Sequence, residues 1–365
     1  MKIGVPKEIK NHEYRVSVVP GTVKELVARG HEVVVQNSAG EGSGISDQDY
    51  LNCGAILSDK PSEIWSCDIV AKVKEPLEEE YPYLRQGQII YAYFHFASSE
   101  KLLDTCLQSG CTAIAYETIR DVNGGLPLLT PMSEIAGRMA VQAGVRFLEK
   151  SSGGRGILLG GVPGIRPAEV VIIGGGIVGA NAALIASGLG GQVTILDINL
   201  NRLRQLAVTL PKNVVTLFSS QDNIRASVVK ADLVIGAVLL QGAKAPVLVD
   251  RNLVSQMKKS SVIVDVAVDQ GGCIETCRPT SHEVPTYVDE GVIHYCVTNI
   301  PGIVSHSSTY ALTNATAPFL VEMADLGWKN ACFKHDSLKK GVNVHNGEIT
   351  HESLAASFGR KYVIL

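Results

Sequence analysis

The chain has 365 residues, 45% of them hydrophobic and 19% charged, with a formal net charge of −3. That length exceeds a single ordinary core and predicts two domains. A nearly balanced charge without basic runs excludes a nucleic-acid surface, which needs cations to displace counterions from phosphates, and the low charged fraction predicts apolar surface buried between subunits.

The opening MKIGVPKEIKNHEYR carries charges where a secretory signal needs an apolar run, which predicts a cytoplasmic protein. Strand-length apolar runs then alternate with amphipathic stretches: IGV at 3–5, the helical VKELVARG, EVVVQ at 32–36, IVAKV at 69–73, IIYAYFHF at 89–96, the helical EKLLDTCLQSG, and TAIAYET at 112–118. Such alternation predicts a parallel sheet covered on both faces, one α/β domain over residues 1–128. Pro127 and Pro131 interrupt it, and from Ser133 the segment SEIAGRMAVQAGVRFLEK has apolar positions at helical spacing. The glycine-rich SSGGRGILLGGVPGIRP reads as loop. A second β/α series follows, with strands VVIIG at 170–174, QVTILD at 192–197, VVTLF at 214–218, DLVIGAV at 232–238 and SVIVDVA at 261–267. A helical pattern from Thr309 to Gly327 and a short terminal helix either close the second domain or return to the first; the pattern leaves both open.

The eight cysteines show no CxxC spacing and read as reduced thiols. Val170–Leu196 holds no charged side chain and is long enough to cross a bilayer, but Gly174, Gly175, Gly176, Gly179, Gly188, Gly190 and Gly191 break it into strand, turn, helix and strand. The strand leads into Gly174-x-Gly176-x-x-Gly179, and the next strand ends at Asp197. This spacing predicts a dinucleotide site. Gly174 permits the turn, Gly176 lets the backbone approach a pyrophosphate, Gly179 allows close helix packing, and Asp197 accepts from the adenosine ribose while repelling a 2′-phosphate. The cofactor expected is therefore NAD, with Arg202 as the one nearby cation that would suit a phosphate.

In open α/β sheets ligands bind beyond the carboxyl ends of strands, which directs attention to Lys74, His95 and Asp269, and to Arg15 in an early loop. Taken singly, each has a plainer role: a solvated lysine, a core histidine, a turn-forming aspartate and a surface arginine. No HxxxH, HExxH, GxSxG or GxxxxGK[ST] pattern competes, so neither metal nor triphosphate chemistry is expected.

Together these segments resemble the alanine dehydrogenase / nicotinamide nucleotide transhydrogenase family. The likeness rests on GVPKEIKNHEYRVSVVP at 4–20, VKEP at 73–76, PMSEIAGRMA at 131–140, the glycine region from Val162 to Ala183, DVAVDQGGCIET at 265–276 and TNIPGIVSHSSTYALTNAT at 298–316. The sequence departs from that pattern at Ser17, Val19, Phe94, Phe96 and Ser305-His306.

The resemblance implies a Rossmann doubly wound NAD domain over 129–305 and a discontinuous flavodoxin-like or Rossmann-like substrate domain, 1–128 with 306–365. It implies a homohexamer with substrate in the interdomain cleft, and reversible conversion of L-alanine, NAD⁺ and water to pyruvate, ammonium and NADH. His95 and Asp269 match the family's catalytic pair and Arg15 and Lys74 its substrate-binding cations, with Tyr93, Glu117 and Asn299 nearby. Its dinucleotide contacts fall on Ser133, Val178, Arg202, Ser219, Val238, Leu239, Val266, Ala267, Val268, Arg278, Val297, Thr298 and Ile300. The alternatives are a transhydrogenase nucleotide-binding subunit, a dehydrogenase of a larger amino acid, and an NAD-sensing protein without turnover.

Overall fold

Runs of β-branched and other apolar residues become strands, fully buried at the sheet centres and partly exposed at the edges. In chain order these are β1 (Lys2–Val5), β2 (Glu32–Gln36), β3 (Ile56–Ser58), β4 (Ile69–Ala71), β5 (Ile89–Ala92) and β6 (Thr112–Ala115). Next come β7 (Glu169–Ile173), β8 (Gln192–Asp197), β9 (Val214–Phe218), β10 (Leu233–Gly236), β11 (Val262–Asp265), β12 (Thr286–Asp289) and β13 (Val292–Tyr295), and finally β14 (Val342–His345) and β15 (Glu348–Ile349). The structure, a computed structural model, describes residues 1–238 and 245–365. Its chain divides into two units, residues 1–132 with 302–365, and residues 133–301.

In the first unit the sheet order is β15-β14-β6-β5-β4-β1-β2-β3. The strands from β1 to β6 are parallel. They follow the doubly wound order 3-2-1-4-5-6, so the Rossmann-like arrangement holds here and the flavodoxin order 2-1-3-4-5 does not. The order in which the strands are connected reverses between β1 and β4, the topological switch point of this sheet. The C-terminal residues return to this unit. The hairpin β14–β15 pairs antiparallel with β6 through Val342↔Ile114 and Val344↔Ala113, a pairing too short for the hydrophobic pattern to announce.

The second unit repeats the plan with order β12-β13-β11-β10-β7-β8-β9, parallel except for the edge strand β12. Its reversal lies between β7 and β10. There the glycine loop follows β7 directly, and a Cβ on Gly174 would stand 2.6 Å from the Ala237 carbonyl oxygen beyond β10. The uncharged stretch from Val170 to Leu196 resolves into β7, a turn, the helix Ile177–Gly188 and β8. Among the described residues no helix is long and apolar enough to cross a membrane.

Candidate active site

Five sequence-predicted residues lie in the first unit, four of them just beyond strand ends. Lys74 follows β4, Tyr93 and His95 follow β5, and Glu117 follows β6. The run IIYAYFHF is strand only to Ala92. Its chain then turns, and His95 adopts a left-handed backbone with φ 49° and ψ 40°. A non-glycine residue there needs support. The Glu117 carboxylate gives it, accepting from the Phe94 N–H at 3.1 Å and the His95 N–H at 2.7 Å. Tyr93 donates its hydroxyl to the Leu128 carbonyl at 2.6 Å, and its ring stacks on His95 with centroids 5.9 Å apart. The His95 side chain reaches solvent, yet the protein crowded about it lowers its pKa from 6.5 by desolvation. The Glu117 carboxylate pulls upward and the Lys74 ammonium downward.

Arg15 is buried and arrives already paired. Its Nε and Nη2 donate to the two oxygens of Glu13 at 2.6 Å each, and Nη1 meets the Met132 sulfur at 3.0 Å. Burial opposes the charge on Glu13, but Arg15 outweighs it and holds this carboxyl below its ordinary value. For Lys74, burial and then Arg15 lower the ammonium's pKa, with Glu13 opposing. A depression of about 380 Å³ opens along this loop, lined by Lys10, Glu13, Arg15 and their neighbours.

In the second unit the glycine loop has the shape that a dinucleotide requires. A Cβ on Gly179 would overlap the Gly174 carbonyl oxygen, whereas among the described residues a Cβ on Gly176 would meet nothing within 4 Å. Gly176 caps the helix Ile177–Gly188 without a side-chain partner, leaving the N–H groups of its first turn, Val178 among them, directed outward. Asp197 ends β8. Its Oδ2 accepts from the Gly175 N–H and its Oδ1 from the Asn199 N–H, both at 2.7 Å, so the carboxylate is locked beside the loop. Arg202 donates from Nε to the Gly175 carbonyl at 2.6 Å, and Ser219 N–H donates to the Asp197 carbonyl at 3.0 Å. The helix Thr130–Leu148 packs so closely that a Cβ on Gly137 would overlap the Val178 carbonyl; Ser133 lies one turn earlier.

Asp269 sits in the 3-10 turn Val268–Gln270 beyond β11, exposed, with Val266, Ala267 and Val268 leading into it. Asp265 closes this loop from beneath, accepting from the Ala267 N–H at 3.0 Å and the Cys273 N–H at 3.3 Å. Burial raises its pKa to about 6. Val297, Thr298, Asn299 and Ile300 follow β13, with Asn299 left-handed at φ 58°. Val238 follows β10; Leu239 lies outside the described residues. The exposed Arg278 guanidinium stacks over the Tyr287 ring at 4.3 Å.

Models of the alanine dehydrogenase/PNT N-terminal and C-terminal domains match residues 4–136 and 140–352, nearly the whole chain. This chain belongs to the alanine dehydrogenase/PNT family. A curated alanine dehydrogenase from Halomonas elongata is 54% identical over 364 residues, covering 100% of this chain and 98% of the relative. A solved L-alanine dehydrogenase superposes with TM-score 0.96 at 50% identity, covering 98% of this chain and 99% of that one. The transhydrogenase from Sinorhizobium meliloti matches with TM-score 0.84 at 25% identity, covering 97% and 100%.

The departures from the family pattern meet local structure. Ser17 donates to the Ala71 carbonyl at 2.6 Å, and Phe94 and Phe96 stack at 4.6 Å within the core. Val19 is the N-cap of the helix Pro20–Ala28 and offers no side-chain acceptor, where the commoner threonine would. Ser305 donates to the Gly42 carbonyl at 2.5 Å. Sequence reasoning missed Glu13, Asp265, Glu8 and Lys72. A carboxylate two residues before Arg15 was a usable signal for the first; nothing local marks Lys72, whose side chain is buried at a strand end.

Proposed function

We propose that this protein catalyses the reversible NAD-dependent oxidative deamination of L-alanine to pyruvate and ammonium. The observation that carries the reading is the cluster Arg15–Glu13, Lys74 and His95 at the reversal point of the first sheet, on a chain that matches alanine dehydrogenases from end to end. The dinucleotide supplies the hydride acceptor in alanine oxidation and the donor in the reverse direction. Everything else falls to side chains of this protein. Lys74 and Arg15 attract the substrate carboxylate. Arg15, its Nε and Nη2 held by Glu13, contributes its positive charge to that attraction. His95, neutral above its lowered pKa, accepts the proton from the water that adds to the substrate carbon and, in the reverse direction, returns it to the hydroxyl that departs as water. Asp269 orients the amine and takes its proton. Tyr93 walls the imidazole, Glu117 holds its backbone, and Asn299 is the further substrate contact that the family resemblance assigns.

The pairing of Arg15 sets a specific expectation. Arg15→Ala leaves the buried Glu13 carboxylate facing an anionic substrate, so KM for both alanine and pyruvate should rise by about 10²-fold, the scale of a lost charged contact of roughly 2–3 kcal/mol. Adding Glu13→Gln should recover part of that loss. Equal KM values in the single and double variants would remove Glu13 from the account.

NAD preference over NADP rests on Asp197, held with its charge beside the loop, while Arg202 is turned to the glycine carbonyls. Steady-state kinetics with both dinucleotides should favour NAD strongly, and Asp197→Ala should weaken NAD while leaving turnover at saturation largely intact. Equal kcat/KM for NADP in the native enzyme would overturn the preference. Ser133, Val178, Ser219, Val238, Leu239, Val266 to Val268, Arg278 and Val297 to Ile300 complete the proposed dinucleotide contacts, and the proposed assembly is a homohexamer, testable by light scattering. A transhydrogenase subunit is the second reading, favoured by the match to the Sinorhizobium meliloti protein. NADH formation with alanine alone, without membranes, decides against it.

A further inference from the structure

At the reversal point of the second sheet the chain leaves β7 through glycines, and among the described residues a Cβ on Gly176 would meet nothing within 4 Å. The equivalent position in the first sheet, between the ends of β1 and β4, is filled from within. Glu8, three residues past β1, reaches across it: Oε1 accepts from the Val73 N–H at 2.7 Å and the Lys74 N–H at 3.2 Å, both just beyond β4. Its Oε2 stands 3.2 Å from the Lys72 ammonium, which also donates to Glu80 Oε1 at 2.8 Å, while Glu80 Oε2 accepts from the Leu77 N–H at 2.8 Å. The side chains of Lys72, Glu8 and Glu80 are 0%, 4% and 6% exposed. Buried ions of this kind persist only when paired and hydrogen-bonded, and this triad is both.

We infer that Glu8, anchored by Lys72 and Glu80, is a positioning residue for Lys74. It binds two successive N–H groups where the chain leaves β4, and so fixes the direction in which the Lys74 side chain departs toward Arg15 and Glu13. The internal carboxylate occupies the N–H groups that the same topology offers to a ligand in the second unit. The inference rests on Lys74 as a substrate-binding cation.

Glu8→Gln tests it. The amide presents N–H groups to the Lys72 ammonium and must turn, losing the Val73 and Lys74 contacts. KM for pyruvate and alanine should rise roughly tenfold, the scale of one charge-assisted hydrogen bond, with KM for the dinucleotide unchanged. In the Glu8→Gln/Lys72→Met double variant no ammonium opposes the amide, so the oxygen can turn back and KM should fall again toward the native value. A merely structural role would lower the melting temperature without this split. Unchanged KM in Glu8→Gln overturns the proposal. If that variant does not fold, Glu8→Asp replaces it: this keeps the charge one methylene short of the two N–H groups, and a raised or unchanged KM decides in the same way. The acetylation rate of Lys74, followed by mass spectrometry against pH without substrate, should also shift in the variant. That readout needs no turnover, so a native protein inactive on alanine would refute the functional reading alone, whereas an unshifted Lys74 profile would refute the positioning role.

Discussion

Asp269→Asn should lower turnover by about 10²-fold or more, the usual scale of general acid–base catalysis, while dinucleotide binding persists. The substitution is nearly isosteric and removes only the ability to take a proton. Asp269 projects from an exposed 3-10 turn, and the geometry of that turn does not depend on its carboxylate: Asp265 closes the loop through the Ala267 and Cys273 N–H groups, and Gly271 and Gly272 supply the positive φ values of 99° and 54°. The amide therefore enters an unaltered loop. Fluorescence titration with NADH, beside steady-state turnover of alanine, separates the two effects. Near-native turnover with tight cofactor binding would refute the proton-transfer role, and loss of both would mean that the loop itself had changed.

Removing the imidazole should cost as much. Here the backbone matters for the choice of variant, because at φ 49° His95 holds the left-handed region, which alanine tolerates less well than histidine or asparagine. Asparagine tolerates the left-handed region, so His95→Asn keeps the turn, and its turnover should fall by roughly 10²–10⁴-fold with little change in melting temperature. The native enzyme carries a matching signature in its pH profile. Desolvation lowers the His95 pKa from 6.5, so the neutral, proton-accepting form extends to lower pH, and the acid limb of kcat/KM for alanine should lie below 6.5. Lys74 contributes to that lowering, so Lys74→Met should move the limb upward as well as raise KM. A limb that stayed in place in both variants would assign the titration to another group.

Much of this was legible in the amino-acid sequence because it depends on local physics. The glycine spacing after a β-branched strand and an aspartate ending the next strand are properties of one β-α-β unit, and they singled out Gly174, Gly176, Gly179 and Asp197 as the proposed dinucleotide loop without any tertiary information. Alternating apolar runs likewise predicted two parallel α/β sheets, and the quoted motifs carried the family. Tertiary structure decided what depends on contacts between distant segments. Strand order is one such matter: the reversal between β1 and β4 gathers Glu8, Lys74 and the residues after β5 beyond the carboxyl ends of the central strands, and β14 pairing with β6 returns the C-terminal residues to the first unit. The end of the aromatic run is another, since YAYFHF has strand composition throughout, and only Glu117, 22 residues beyond His95, supplies the acceptor that stabilises the turn. The third is charge. From the sequence Arg15 and Lys74 are the two candidate cations, and Lys72 is not singled out. Folding gives Arg15 to Glu13 and Lys72 to Glu8 and Glu80, while for Lys74 no side-chain ion pair forms among the described residues. Burial forces that pairing, because an isolated ion in the interior is too costly to keep, and which carboxylate comes within reach of which cation is set by the fold alone.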